Sequence, residues 1–201
     1  MYKIAVFIEF DKKITKKILN QKKIVKKKFG NQIYLNHPVH LTLFTLNIKN
    51  IDKLKKIYIN KKKIQSKPFL INVTRPGIFY DDPLTGGHTI FYHIKKNDKL
   101  NKIQLRHLIK INKNLNIIKK NMNLFKNNIL KNNYKKYGFP FIGKIWIPHI
   151  TIASIKNVTN NNKYIKYFLS TKTNLKCFVT KIKFYKIEKD RHDFLFSVKD
   201  F

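Results

Sequence analysis

Two apolar runs 109 positions apart, HLTLFTL from His40 and HITIASI from His149, carry one pattern of side chains. In an extended chain residues i and i+2 share a face, so His40 and Thr42 stand side by side while Leu41 and Leu43 point the other way. His149 and Thr151 stand in the same relation to Ile150 and Ile152. One such strand would mean little, because any half-buried strand alternates polar and apolar residues. With seven His and eleven Thr in 201 residues, however, chance supplies fewer than one His-x-Thr triplet. Both copies follow a nearby proline, Pro38 or Pro148, and both open a β-prone run.

The surrounding periodicities repeat as well. Ile4 to Phe10 predicts a strand, and Ile14, Ile18, Val25 and Phe29 predict a lysine-backed amphipathic helix that stops at Gly30. The first motif strand, Val39–Leu46, and a short helix over Asp52–Ile59 follow. FLINVTRPGIFY and HTIFYHI around the turn-rich DDPLTGG predict a hairpin. From Leu100 to Ile129 apolar residues recur every three to five positions, which gives one long helix or two with a break near Asn112–Asn116. The loop YGFPFIG leads into the second motif strand. A helix over Lys163–Leu169 and a closing hairpin, with Arg191 and His192 at its tip, complete the chain. The order strand, helix, motif strand, helix thus occurs at the start and again from about Phe91. The expectation is one α+β domain over residues 1–201, in which two related halves pack two sheets around a cleft floored by the two motif strands.

Composition excludes several classes. With 43% hydrophobic residues the chain fills a core without staples, and the single Cys177 rules out an intramolecular disulfide or a cysteine zinc site. Ten acidic residues, none clustered, and no HExxH spacing argue against a two-metal nuclease, so no metal or other cofactor is expected. No apolar run reaches the length of a membrane span, and the short one at the N-terminus, closed by Glu9, reads as a strand rather than as a signal peptide. A soluble, cytoplasmic monomer is expected, with no membrane partner. The net charge of +34 attracts polyanions, so non-specific RNA binding is a possible property. Lys, Asn, Ile, Phe and Tyr together also mark AT-rich coding, an equally good source of the lysine. Arg occurs only at 75, 106 and 191, which weakens the case for bidentate phosphate recognition.

Two imidazoles suit in-line phosphodiester cleavage, in which a base takes a proton from the attacking hydroxyl or water and an acid protonates the leaving oxygen. Thr42 and Thr151 would donate hydroxyl hydrogen bonds to the non-bridging oxygens. Which His is the acid is open at this stage. Secondary candidates are Arg75 and Arg191 for phosphate contact and Tyr80, Tyr137, Phe139 and Trp146 for base stacking, although surface solvation or core packing is the simpler account of each. His37 belongs to the loop before the first motif, and His107 to an apolar helix face. His88 and His93 have opposite strand parity, and His192 is expected to be exposed. The lysines between 12 and 28 read as a solvated helix face.

HLTL at His40–Leu43 and HITI at His149–Ile152 resemble the paired motifs of the 2H phosphoesterase superfamily. That group includes 2′-5′ RNA ligase-like proteins, cyclic phosphodiesterases and 2′,5′-phosphodiesterases, and PHITIA is especially similar to its second motif. The likeness in element order spans nearly the whole chain. It implies a bilobal, pseudo-twofold α+β fold with two antiparallel sheets lining a central groove and helices outside. It also implies metal-independent attack on nucleotide phosphodiesters with a 2′ linkage or a 2′,3′-cyclic phosphate. By the same resemblance His40 and His149 are catalytic and Thr42 and Thr151 bind phosphate. The spacing of 109 exceeds that of compact members, and the Leu100–Leu130 segment absorbs the excess.

The expected function is therefore cleavage of 2′-5′-linked nucleotides, either 2′,5′-oligoadenylate or a 2′-5′-linked cyclic dinucleotide. The alternatives are a 2′,3′-cyclic phosphodiesterase or RNA end-processing enzyme, and a non-catalytic basic RNA-binding protein. The AT bias is compatible with a large DNA virus, for which destroying such messengers in host cytoplasm would be useful.

Overall fold

A computed structural model describes residues 1–59, 67–119, 127–189 and 191–199. The strands are β1 (Tyr2–Phe10), β2 (Leu41–Ile48), β3 (Phe69–Asp82), β4 (Gly87–Ile94), β5 (His149–Ile155), β6 (Leu175–Glu188) and β7 (Arg191–Val198). The helices are α1 (Lys12–Phe29), α2 (Ile51–Ile59), α3 (Asp98–Asn114), α4 (Asn128–Tyr137) and α5 (Lys163–Ser170). The apolar segment after Leu100 takes the two-helix form, with α3 closing at Leu115. Met122 and Phe125, assigned to that segment, lie outside the described residues.

All pairings are antiparallel, and the strands form one seven-stranded network in the order β2-β1-β6-β3-β4-β5, with β7 on β6. The two expected sheets are thus hydrogen-bonded into one. The strand that joins them is β6: its first residues, Leu175 to Val179, pair with β3, and Ile182 to Glu188 pair with β7. A strand of 14 residues is long enough to serve both halves, a fact invisible to local periodicity.

One face of the sheet is covered by helices. Ile4, Val6, Ile8 and Phe10 of β1 point into the same core as Ile14, Ile18 and Val25 of α1, Leu100, Ile103 and Leu108 of α3, and Tyr164 and Phe168 of α5. Each such side chain contributes roughly 1.5–3 kcal/mol of burial. Asp11 fixes where α1 begins: one carboxylate oxygen accepts from the Ile14 N–H and the other from the Phe178 N–H of β6, so the cap also ties helix to sheet. His107 is fully buried in α3 with Nδ1 2.8 Å from the Tyr58 hydroxyl, the core histidine expected. No helix among the described residues is long and apolar enough to cross a membrane.

Candidate functional site

The motif strands β2 and β5 are the two ends of the strand order, yet they pack against each other, so the sheet curls until its edges meet. The halves match in detail. Phe7 of β1 is the cross-strand partner of Thr42, and Phe91 of β4 is that of Thr151. In both pairs the register slips by one residue at this point, because Leu43 and Ile152 are extra residues. The bulges explain the doubled apolar residues Leu43-Phe44 and Ile152-Ala153, all buried, which break strict alternation directly after each motif. On the face opposite the helices, the His40 ring stacks on Phe7 with centroids 3.7 Å apart. His149 leans on Phe91 at 4.9 Å and on Phe79 at 5.4 Å.

Each imidazole is oriented by its own lead-in loop. His40 Nδ1 donates to the Pro38 carbonyl at 2.6 Å and His149 Nδ1 to the Ile147 carbonyl at 2.7 Å. A carbonyl only accepts, so this contact places the proton on Nδ1 and leaves Nε2 of the neutral ring as a lone-pair acceptor. The loops themselves are held by lysines. Lys22, 4% exposed, donates to the carbonyls of Tyr34 and His37, both at 2.7 Å. Lys96 donates to the carbonyls of Gly143, Lys144 and Trp146. Tyr34 and Gly143 each have a left-handed backbone, at φ 72° and 65°.

The electrostatics of the two rings differ. Burial pushes the His40 imidazole down to about 3, with His192, Lys22 and His37 adding to the effect and the Pro38 carbonyl opposing it. Burial also lowers His149, but there the Ile147 carbonyl and the carboxylate of Asp82 pull it back. Asp82 is itself buried and accepts the Thr89 hydroxyl at 2.6 Å.

Several neighbours were not legible in the sequence. His192 is not an exposed hairpin residue: the β6–β7 pairing carries its ring to 4.2 Å from His37 and 6.3 Å from His40. His93 is the cross-strand partner of His149, while His88 turns to the other side and accepts from the Asp81 N–H, as their opposite parity requires. Gly77 lies under this pair, since a Cβ there would meet His93 Nε2 at 2.6 Å and the Phe91 ring at 2.7 Å. Leu70 and Phe178, cross-strand partners on the central strands, are each 47% exposed; the alternation against buried Ile71, Cys177 and Val179 puts them on the face that carries Phe7.

The secondary candidates separate. Arg75 is exposed and close enough to His93 to lower its proton affinity, which keeps it at the rim of the second half. Arg191 instead binds Glu188 and Asp193, each at 2.8 Å. Trp146 and Phe139 leave the base-stacking set: they are 5% and 8% exposed and belong to the core. Tyr137 also packs on that core, and Tyr80 sits edge-on to His88 rather than beside either motif. Among the described residues, no three or more His, Cys, Asp or Glu are grouped to hold a metal ion.

The model of the AKAP7 2′5′ RNA ligase-like domain family matches residues 2–201. The chain belongs to this family. It is thereby a member of the 2H phosphoesterase superfamily, whose members are phosphodiesterases and RNA-processing enzymes, and it is an enzyme of that kind. Solved structures share the fold at low identity. TT0787 of Thermus thermophilus is similar with TM-score 0.63 and 13% identity over 98% of this chain and 96% of that one. A structure described as a phosphoesterase gives TM-score 0.58 at 14% identity over 98% and 96%. E. coli LigT in apo form gives 0.57 at 13% over 98% and 95%. No curated protein matches the sequence significantly.

Proposed function

We propose that this enzyme is a phosphodiesterase that cleaves 2′-5′-linked nucleotides through His40 and His149, without needing a metal for either proton transfer. The observation that carries this reading is the matched pair of oriented imidazoles, each with Nδ1 tied to the carbonyl two residues before it and each beside a threonine on a bulged edge strand. The family's 2′5′ RNA ligase-like description supports the linkage, and E. coli LigT structures in complex with 3′-AMP and with ATP support a nucleotide ligand for this fold.

The environments favour His40 as base, since burial above all, with His192, Lys22 and His37 adding to it, keeps its ring neutral. His149, with Asp82 favouring its protonated form, suits the acid. In the proposed step His40 Nε2 takes the proton of the 3′-hydroxyl next to a 2′-5′ linkage, and that oxygen bonds to phosphorus. The bond to the 5′-oxygen breaks as His149 protonates it, leaving a 2′,3′-cyclic phosphate and a free 5′-hydroxyl. Thr42 and Thr151 donate to the non-bridging oxygens as their charge grows, each worth roughly 2–4 kcal/mol. Leu70 and Phe178 offer apolar surface to a base.

The test is product analysis, in EDTA, of 2′-5′-linked triadenylate, a mixed-linkage cyclic dinucleotide, 3′-5′-linked triadenylate and a nucleoside 2′,3′-cyclic phosphate. Cleavage confined to the 2′-5′ substrates is expected. Turnover of the cyclic phosphate alone would make the enzyme a cyclic phosphodiesterase. No turnover, with RNA binding intact, would leave a non-catalytic RNA-binding protein.

A further inference from the structure

We infer that the lysine face of α1 is a binding track for a linear single-stranded oligonucleotide, holding the nucleotides that extend past the scissile phosphate on the His40 side. The inference rests on the phosphodiesterase reading for what occupies His40, and adds a demand on substrate length. Two adjoining cavities carry it. One, of about 260 Å³, is lined by His40, Phe7, Pro38 and Val39 and walled on the α1 side by Thr15 and Leu19. The same Thr15 and Leu19 line a second cavity of about 570 Å³ that continues along the helix past Lys12, Lys16, Lys23 and Lys26. The two are therefore one path that starts at a motif histidine.

Helix geometry makes the path a charged stripe. Lys12, Lys16, Lys23 and Lys26 follow one another at spacings of four, seven and three, which keeps them on one face. The fourteen steps from Lys12 to Lys26 rise about 21 Å, the length of several nucleotides of extended strand. Among the described residues, no acidic side chain lines the second cavity. The carboxylate in the first, Glu9, is held by Lys183 at 3.0 Å. Lys22 also lines the track, but its ammonium is turned onto loop carbonyls. At the junction Leu19 is 43% exposed, an apolar surface that a base would cover. A cationic groove with apolar platforms is what sequence-tolerant single-strand binding requires. A cyclic dinucleotide, closed on itself, has no chain to lay along it.

The same helix supplies a control. Lys13, Lys17 and Lys28 are exposed on another face and line neither cavity. The triple variants K12Q/K16Q/K23Q and K13Q/K17Q/K28Q remove equal charge. Their binding to a fluorescein-labelled 2′-5′-linked hexaadenylate with methylated 3′-hydroxyls, which is not cleavable by the proposed step, is followed by anisotropy between 50 and 200 mM KCl. The track variant is expected to bind about tenfold more weakly, with the slope of log K against log salt smaller by about 2, since each lysine–phosphate contact on a single strand contributes roughly 0.7. The control is expected to stay within about twofold of wild type. On cleavable substrates the track variant should lose kcat/KM for the hexamer and keep that for the dinucleotide. Equal losses in both triples, or a hexamer bound no more tightly than a dinucleotide by wild type, would overturn the inference. Because the binding arm needs no turnover, an inactive protein with track-dependent binding would undo the reaction assignment and leave the track standing.

Discussion

Lys22 and Lys96 perform the same task in the two halves. Lys22 Nζ binds the carbonyls six and three residues before His40, and Lys96 Nζ binds those six, five and three residues before His149. The lysines come from unrelated places, one inside α1 and the other between β4 and α3, yet they grip corresponding atoms. In each loop the residue at position minus six is left-handed, and for Tyr34 that conformation costs of order 1–3 kcal/mol that its surroundings must offset.

Lys22→Met is accordingly expected to leave the half-buried Tyr34 and His37 carbonyls without their ammonium, let the Tyr34 turn relax and loosen the Pro38 carbonyl that orients His40. A tenfold or greater fall in kcat, with a smaller change in KM and an unchanged far-UV spectrum, is the expected result. Lys96→Met should act in the same direction on His149. An unchanged kcat in both would show that the loops hold themselves.

His40→Ala and His149→Ala should each slow turnover by about 10²–10⁴-fold, the range of general acid–base contributions, while nucleotide binding persists. Thr42→Val and Thr151→Val should each cost about 30-fold to 10³-fold in kcat, the equivalent of roughly 2–4 kcal/mol. Steady-state kinetics on the 2′-5′ substrate, beside isothermal titration with a non-cleavable analogue, separates the effects.

The pH profile follows from the two rings. The proposed base works when neutral, so with His40 lowered to about 3, chiefly by burial, the acid limb of kcat/KM is expected far below the ordinary histidine range. The proposed acid works when protonated, so the lowering of His149 by burial should move the alkaline limb down too. The optimum of kcat/KM is therefore expected on the acid side of neutrality. Burial is the largest cause of the lowering of His40, and His192 adds to it along with Lys22 and His37, so His192→Ala should raise the acid limb only modestly.

Stability carries the same signature. The unfolded chain binds a proton at His40 below about 6.5, while the folded ring stays neutral down to about 3, so stability should decline as pH falls through that window. Urea midpoints of wild type and His40→Phe between pH 7 and 4 should diverge, the variant losing less.

Gly77→Ala places a methyl group within 3 Å of His93 and the Phe91 ring, and that ring supports His149. Loss of kcat without global unfolding is expected, read by turnover and by melting temperature.

Much of this was written in local pattern. The parity of His40 with Thr42 and of His149 with Thr151 follows from the two-residue repeat of a strand, and the caps at Asp11 and Gly30 follow from side-chain and backbone chemistry near them in the chain. The doubled apolar residues after each motif were also present as letters, but they become bulges only opposite Phe7 and Phe91. Trp146 and Phe139 show the limit from the other side: their types suit a nucleic-acid surface, and only packing placed them in the core.

The sequence by itself determined which residues share a strand face and where helices start, because these depend on neighbours within a few positions. Tertiary structure alone decided that β6 joins the halves, that β7 brings His192 beside His40, and that Lys22 and Lys96 reach the loops they hold. Those contacts depend on strand register and helix packing between distant segments, which no local periodicity encodes.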